Sequence, residues 1–242
     1  MTLFSTRTAC ALLLAASLAA CGGGGSDKAT FPVAGTVTGL VYSGLKLETG
    51  SQTVDVAPNA ANTATTINLV NYTFPQVLGY GDVYLIKIAA NPAHQTCSFP
   101  SYRQQADSAG HTATINVALT CAINGYSLNG YVYGLKGDGL QLINGSDYGT
   151  ITLTKAIVDA NAATEAAAKA AAAAATPPTT SYTLTPSFSF ADPNKLVAYN
   201  QTYGVTVLTQ PPGQTCTVTN GNGVMQDGAV VNITVNCVDN PT

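Results

Sequence analysis

The chain has 242 residues, with 9 Lys and Arg against 12 Asp and Glu, and its 9% of charged residues is well below the roughly 25% of an ordinary soluble domain. A net charge of −3 provides no basic surface for phosphates and excludes a nucleic-acid-binding protein. Hydrophobic residues at 46% exclude a disordered chain, while two His and few acids leave little from which a catalytic or metal site is built, so we expect no enzyme, no metal and no cofactor.

The chain begins with a single charge, Arg7, followed by an apolar run over residues 11–20. This run is too short to span a bilayer, which predicts a secretory signal over residues 1–20. Its last residues and the next one, Leu18-Ala19-Ala20-Cys21, resemble the lipobox of bacterial lipoproteins. The resemblance implies that Cys21 carries diacylglycerol and becomes the mature N-terminus. The alternative is an ordinary signal peptide with a chance Cys at its end.

A Gly-rich segment, Gly22-Gly23-Gly24-Gly25-Ser26, comes next, and we interpret residues 21–30 as the lipid anchor and a flexible tether. In lipoproteins of this kind an Asp directly after the lipidated Cys signals retention at the inner membrane, and this chain has Gly22 there. The resemblance therefore implies attachment to the outer membrane through lipid, without a transmembrane helix. The folded body on the periplasmic face and the folded body on the cell surface are both alternatives.

The rest of the chain contains an internal repeat. Three pairs of segments match at separations of 95, 119 and 116 residues: 35–47 with 130–142, 84–97 with 203–216, and 116–121 with 232–237. Self-similarity of this kind predicts two copies of one module, which we place at residues 31–124 and 125–242.

Cysteines follow the same division. With Cys10 leaving in the signal and Cys21 taking lipid, four cysteines remain, an even number as a disulfide framework requires. Each module contains two of them. The expected disulfides lie within the modules and join Cys97 with Cys121 and Cys216 with Cys237. They lack the Cys-x-x-Cys spacing of redox catalysts, so we interpret them as structural.

Alternation of apolar and polar residues indicates strands. Residues 114–121 and 230–237 alternate at period two, with Gly, Asn, Asp and Pro clusters between such runs. About seven strands fit in each module. The pattern predicts an all-β chain of two tandem immunoglobulin-like β-sandwich domains with antiparallel sheets.

The second module also has an alanine-rich insertion over residues 155–181. The high helix propensity of Ala, the i,i+4 pair Glu165 and Lys169, and the stop at Pro177-Pro178 predict a helix. Ile157 and Val158 are its two residues able to dock firmly. We therefore interpret the insertion as a low-complexity spacer, with a partner-binding helix as the alternative.

The second module carries a set of motifs around its cysteines: Gly134-Leu135, Gly139-Leu140-Gln141-Leu142, residues 203–207, residues 210–223 and Val235-Asn236-Cys237. Together they resemble a repeat found in tandem in many proteobacterial lipoproteins and surface proteins. The resemblance covers most of the mature chain and implies fold and location, but no activity. The first module departs from it, because residues 98–105 replace the Asn220-Gly221 turn.

Candidate chemical groups are few. His94 and His111 have no zinc-type spacing to Cys, Asp or Glu, so we interpret both as solvated loop residues. Asp138 and Asp147 lie in Gly-rich turns, where Asp is common for turn formation alone. A calcium site is the alternative, but the Asp-x-Asp-x-Asp spacing is missing.

Two tyrosines form the candidate binding surface. Tyr131 and Tyr133 flank Val132, so if Val132 faces the core, both tyrosines face outward. Exposed Tyr pairs stack on sugars or anchor protein partners. The alternative is cross-strand packing alone.

These observations predict a non-enzymatic, lipid-anchored cell-envelope protein serving binding, adhesion or spacing. Its partners would be the membrane, through the N-terminal lipid, and an envelope protein or a glycan. The competing hypothesis is a carbohydrate-binding accessory module for a separate enzyme.

Overall fold

A computed structural model of the chain describes residues 28–100, 105–145, 149–177 and 185–241. The signal segment, Cys21 and the Gly-rich tether lie outside the described residues, as do Asp147 and the end of the insertion. Among the described residues no helix is long and apolar enough to cross a membrane. The described chain is mostly β-strand, and we refer to residues 28–123 as the N-terminal half and residues 125–241 as the C-terminal half.

The described residues of the N-terminal half form strands and the loops between them, without a helix. In chain order they are β1 Thr30–Thr38, β2 Leu45–Thr49, β3 Gln52–Val56, β4 Val70–Gly79, β5 Val83–Leu85, β6 Lys87–Ala90, β7 Gln95–Ser98, β8 Ala106–Ser108 and β9 Ile115–Ile123. They form a four-stranded sheet in the order β4-β1-β9-β7, a three-stranded sheet β3-β2-β6 and a pair β5-β8.

The C-terminal half repeats this plan with one helix added. Its elements are β10 Gly125–Tyr126, β11 Leu128–Tyr133, β12 Leu140–Asn144, β13 Thr150–Leu153, α1 Lys155–Ala174, β14 Phe188–Phe190, a 3-10 turn Pro193–Lys195, β15 Val197–Ala198, β16 Thr202–Thr209, β17 Gln214–Thr219, β18 Asn222–Val224 and β19 Val230–Asp239. The sheets are β14-β11-β19-β17 and β13-β12-β16-β18, with a pair β10-β15.

The main sheet of each half is mixed, and here the expectation of antiparallel sheets is wrong. Strand β1 pairs antiparallel with β4 but parallel with β9, with Val33 beside Ile115 and Val37 beside Leu119. Strands β11 and β19 are parallel in the same way. Alternation reports which face a side chain occupies and contains no information about strand direction, so the sequence pattern could not reveal this pairing.

Each half has a hydrophobic cluster of its own. In β9 the alternation is complete, since Ile115, Val117 and Leu119 are buried while Asn116 and Thr120 face outward or lie at the boundary. One cluster is formed by residues between 33 and 121 and the other by residues between 128 and 237. Each fully buried Leu or Val contributes roughly 1.5–3 kcal/mol, so neither half depends on the other for a core.

The repeated glycine at the start of each matching segment has a packing reason. Gly35 in β1 and Gly130 in β11 each lie beneath an aromatic ring, that of Tyr72 and that of Phe188. A Cβ at either position would collide with that ring and with the backbone of the neighbouring parallel strand. Glycine is required here because the ring covers the strand closely.

Both expected disulfides are present. Cys97 of β7 is bonded to Cys121 of β9, and Cys216 of β17 to Cys237 of β19. In each case the two cysteines are direct partners in the antiparallel register. The closed loops, with sequence separations of 24 and 21, each stabilise their half by about 3 kcal/mol on the chain-entropy account.

Helix α1 follows β13 and has both ends defined by its sequence. The Thr154 hydroxyl accepts a hydrogen bond from the Ile157 N–H at the N-terminus, and the Asp138 carboxylate accepts one of 2.8 Å from the Lys155 N–H. The helix ends at Ala174, shortly before Pro177. Val158 is its one buried residue and joins the cluster of the C-terminal half.

Candidate functional site

The outer face of β11 carries the tyrosine pair, and α1 lies against it. Tyr131 is partly buried and Tyr133 is 45% exposed. Burial is the main cause that raises the pKa of Tyr131, followed by the charges of Tyr133 and Glu165. The space left between β11 and α1 is a cavity of about 30 Å³ that Val158 also lines. This space accommodates water but not a sugar ring.

Both tyrosines thus point away from the core, but the insertion covers part of their surface. The first module has no equivalent of α1, so comparing the repeats gave no sign of this contact. The tyrosine pair as a binding surface stays a prediction, and Tyr133 is the member of the pair that is exposed.

The calcium alternative finds no support in the described part of the chain. No group of three or more His, Cys, Asp or Glu gathers there in a metal-binding arrangement. One carboxylate oxygen of Asp138 is occupied by the N–H of Lys155 at the start of α1. Turn formation and helix capping therefore account for this residue.

A cluster of interacting polar and aromatic side chains lies where the two halves meet. Gln95, a buried side chain at the start of β7, positions one part of this cluster. Its amide oxygen accepts hydrogen bonds from the N–H groups of Val41 and Tyr42, at 2.8 and 2.9 Å, and its amide nitrogen donates to the carbonyl of Gly39 at 2.7 Å. These bonds fix the loop after β1 and hold Tyr42 at the end of the N-terminal half.

The repeat contains the same arrangement in its second copy. The amide oxygen of Gln214 accepts from the Lys136 N–H at 2.8 Å, and its amide nitrogen donates to the Gly134 carbonyl at 2.9 Å. This explains why Gln precedes Thr-Cys in both modules: the buried amide satisfies the backbone of the first loop.

His94 is the residue through which the N-terminal half reaches the C-terminal half. Its ring is stacked on that of Tyr199, with centroids 3.7 Å apart and an interplanar angle of 3°. The Tyr42 ring meets the His94 ring edge-on, with centroids 5.2 Å apart. The Nδ1 atom of His94 is buried, makes no regular hydrogen bond, and lies 2.6 Å from Oδ2 of Asp227.

Asp227 holds the charge of this cluster. The contact with His94 is the largest effect on its pKa and lowers it, desolvation opposes that shift, and the Tyr126 hydroxyl, which donates to Oδ1 at 3.1 Å, lowers it further. The pKa of Tyr42 shifts in the opposite direction, because burial and then the charges of Tyr199 and Asp227 raise it. The contacts with His94 and Tyr126 therefore favour the ionised form of Asp227.

The backbone joins the halves at the same place. Asn124 is the single residue between β9 and β10. Its N–H donates to the His94 carbonyl at 2.9 Å, its carbonyl accepts from the Tyr199 N–H at 2.8 Å, and its side-chain oxygen accepts from the Thr96 hydroxyl at 2.8 Å. We call His94, Tyr42, Tyr199, Asp227 and Asn124 the junction.

The interpretation of His94 as a solvated loop residue is wrong, whereas His111 is exposed and pairs with Asp107 at 2.8 Å on the surface. A sequence signal for His94 existed in the repeat. The residue 119 positions later is Gly213, and both have left-handed backbone, with φ of 59° and 73°. Histidine adopts this conformation less readily than glycine, so its presence where the other copy has glycine points to a role for the side chain.

Comparisons with known proteins give fold-level likenesses at most. No protein-family model and no curated protein matches the chain. Among solved structures it is similar to the Bacillus anthracis TIE protein, at 9% identity and a TM-score of 0.33, over 85% of this chain and 34% of that chain. The chain thus spans about a third of the length of that protein.

Two further likenesses are of the same kind. One is to the major pilin protein T-13 from Streptococcus pyogenes, at 10% identity and a TM-score of 0.25, over 88% of this chain and 98% of that chain. The other is to the pilus adhesin SpaC from Lactobacillus rhamnosus GG, at 14% identity and a TM-score of 0.28, over 82% of this chain and 28% of that chain. Scores of this size do not identify a function.

Proposed function

We propose that the chain is a non-catalytic, lipid-anchored cell-envelope protein whose two halves are tandem immunoglobulin-like domains serving adhesion, binding or spacing. The observation that carries the proposal is the junction. A one-residue link, a ring stack and the contact of His94 with Asp227 join two bodies that each have a core and a disulfide. A spacer needs such a short link, because a long flexible one would let the outer body fold back on the inner one.

Two features support a location in the envelope. Disulfides within each half suit an oxidising compartment outside the cytoplasm. The lipobox-like residues that end at Cys21 supply a membrane anchor, and Gly22 after it favours sorting to the outer membrane.

The tandem repeat of proteobacterial lipoproteins is part of the same proposal. Its Gln-Thr-Cys motif has one structural role in both halves, since Gln95 and Gln214 bind the loop that follows the first long strand. The Gly35 and Gly130 positions are likewise equivalent. These shared roles support two copies of one domain.

The anchor is tested by replacing Cys21 and fractionating the cells. Cys21→Ala should move the protein from the membrane to the soluble fraction, because the acyl chains would be its attachment. Cys10→Ala, which changes a cysteine inside the expected signal, is the matched control and should stay with membranes. If Cys21→Ala protein sediments with membranes in its wild-type amount, the lipoprotein proposal is wrong.

A carbohydrate-binding accessory module remains the second candidate, on account of Tyr131 and Tyr133. A glycan array separates the two proposals. Saturable binding by the wild type that disappears in Tyr131→Ala/Tyr133→Ala would favour the accessory module, and a flat result would favour adhesion to protein or spacing. Protease shaving of intact cells would then decide which face of the membrane the body occupies.

A further inference from the structure

The surface that the C-terminal half presents to the junction has a counterpart in the N-terminal half. Tyr80 precedes Tyr199 by 119 residues, the separation of the repeat. The residues that follow them, Gly81 and Asn200, are both left-handed, with φ of 84° and 65°. The Gly81 N–H donates to the carbonyl of Ala109, directly after β8, at 2.8 Å. The Asn200 N–H donates in the same way to the carbonyl of Met225, directly after β18, at 2.9 Å. The two turns are therefore equivalent.

This counterpart is open. Tyr80 is 76% exposed and Val83 is 82% exposed, and Val77 and Leu85 are exposed beside them. The four residues lie at the end of β4, in the turn that follows it and in β5, and the turn is closed by a hydrogen bond from the Asp82 N–H to the Gly79 carbonyl. We call Val77, Tyr80, Val83 and Leu85 the head surface. Four exposed apolar residues within nine positions of the chain are a candidate site of contact with a membrane or a protein.

The first strand of the N-terminal half begins beside the head surface. Thr30, the first residue of β1, is the register partner of Gly79, which directly precedes Tyr80. Thr30 is nine positions after Cys21. Whatever its conformation, a segment of that length spans at most about 30 Å. A lipid on Cys21 therefore keeps the head surface close to the bilayer, and this step rests on the proposed anchor.

Asp82 is the charged side chain of the turn between β4 and β5. Its carboxylate accepts a hydrogen bond from the Gly79 N–H at 2.8 Å. Asp107 is the register partner of Tyr84, so its side chain lies on the opposite face of the β5-β8 pair from Val83 and Leu85. Negative charge at Asp82 disfavours strongly anionic lipid and leaves zwitterionic headgroups as the better match.

A second copy of the chain is a poorer occupant. At the junction, Tyr199 is covered by Tyr42 and His94. Their counterparts at the far end of the C-terminal half, 95 and 119 residues later, are Gly137 and Gly213. That end has no ring at either position to stack on Tyr80.

We propose that the head surface rests in the interfacial region of the lipid bilayer, with Tyr80 at headgroup depth and Val83 and Leu85 in contact with the acyl chains. Tyrosine is enriched at this depth because its ring is apolar and its hydroxyl is polar. The lipid on Cys21 supplies attachment, and the head surface sets the orientation of the body on the membrane.

The absence of Trp from the chain allows a direct test. Tyr80→Trp places a single fluorescent reporter in the head surface of the full protein, purified from membranes and reconstituted in phosphatidylcholine vesicles. Tyr133→Trp, also an exposed tyrosine but in the C-terminal half, is the matched control. We expect phosphatidylcholine labelled with a doxyl quencher to quench the reporter at position 80 several-fold more than the one at position 133. Adding Val83→Asp to Tyr80→Trp should abolish the difference.

Flotation of the same vesicles separates the two proposals. Floating protein whose Tyr80→Trp reporter is quenched no more than the Tyr133→Trp reporter overturns the head-surface contact and leaves the anchor intact. Protein that does not float overturns the anchor, and the head-surface contact with it. A blue-shifted Tyr80→Trp spectrum without lipid quenching, lost on dilution, also overturns the lipid contact and identifies a second copy as the occupant.

Discussion

The backbone at His94 shows how one residue combines a local cost with a long-range contact. A non-glycine residue in the left-handed region costs roughly 1–2 kcal/mol, and the equivalent turn of the second copy avoids that cost with Gly213. Stacking on Tyr199 restores about 0.5–1.5 kcal/mol, to which the contact with Asp227 adds. The side chain is thus retained because of what it touches in the other half.

Asp227 gives the junction a dependence on pH. The contact with His94 lowers its pKa below the ordinary value of 3.8, so the folded protein binds this proton less readily than the unfolded chain does. The stability that Asp227 contributes is therefore fully present above about pH 4 and is lost as the pH falls through the lowered value. We expect the thermal midpoint of the wild type to fall more steeply on acidification in this range than that of Asp227→Asn.

Asp107 and Asp239, whose pKa values are also lowered, are present in both proteins, so the difference between the two curves isolates Asp227. Parallel curves for the wild type and Asp227→Asn between neutral pH and about pH 2 would show that the contact with His94 does not affect folding.

At the scale of the elements, helix α1 illustrates what the sequence of a segment does and does not determine. Alanine propensity and the Thr154 cap set where the helix lies along the chain. Its docking depends on Val158, because Ile157 remains 43% exposed. Neither the repeat nor the alanine pattern predicts the contact of the helix with β11, because this contact joins an insertion to a strand more than 20 residues away.

Deletion of residues 159–175 tests whether the helix beyond Val158 is a spacer. The N-terminal half closes without such an insertion, and loop length affects stability only slowly. We expect both disulfides to form and the thermal midpoint to change by no more than a few degrees, the equivalent of roughly 1 kcal/mol. Val158→Ala should be more costly than Ile157→Ala, because it opens a cavity in the core.

Calorimetry and non-reducing peptide mapping check both expectations. A deletion variant that fails to fold, while Val158→Ala and Ile157→Ala remain folded, would mean that the outer turns of α1 are part of the sandwich rather than a spacer.

Strands and disulfides were largely predictable, and the reason is physical. The alternation of residues 114–121 and 230–237 corresponds to β9 and β19, because burial of one face imposes period two on the residues themselves. Each cysteine pair follows from the repeat. Strand direction and the junction were not predictable, since Tyr199 and Asp227 lie more than 100 residues from His94 and no spacing rule connects residues so far apart.

At the scale of the whole molecule, the junction determines how the two halves move relative to each other. His94→Asn removes the ring while keeping a residue that tolerates the left-handed turn. We expect small-angle scattering to show a broader distribution of overall dimensions for His94→Asn than for the wild type, with both disulfides intact. The matched control, His111→Asn, removes an exposed histidine outside the junction and should leave the scattering unchanged. Identical profiles for His94→Asn and the wild type would show that Asn124 alone fixes the orientation.

The parallel pairing of β1 with β9 has a mechanical consequence. The chain enters β1 at Thr30 beside the head surface and leaves β9 at Ile123 at the opposite end, because these adjacent strands run in the same direction. With the proposed anchor at Cys21, tension between the N-terminus and the C-terminal half would act along both strands and load their hydrogen bonds together in shear, instead of opening them one at a time. Strands β11 and β19 repeat this geometry, so both halves would resist such tension in the same way.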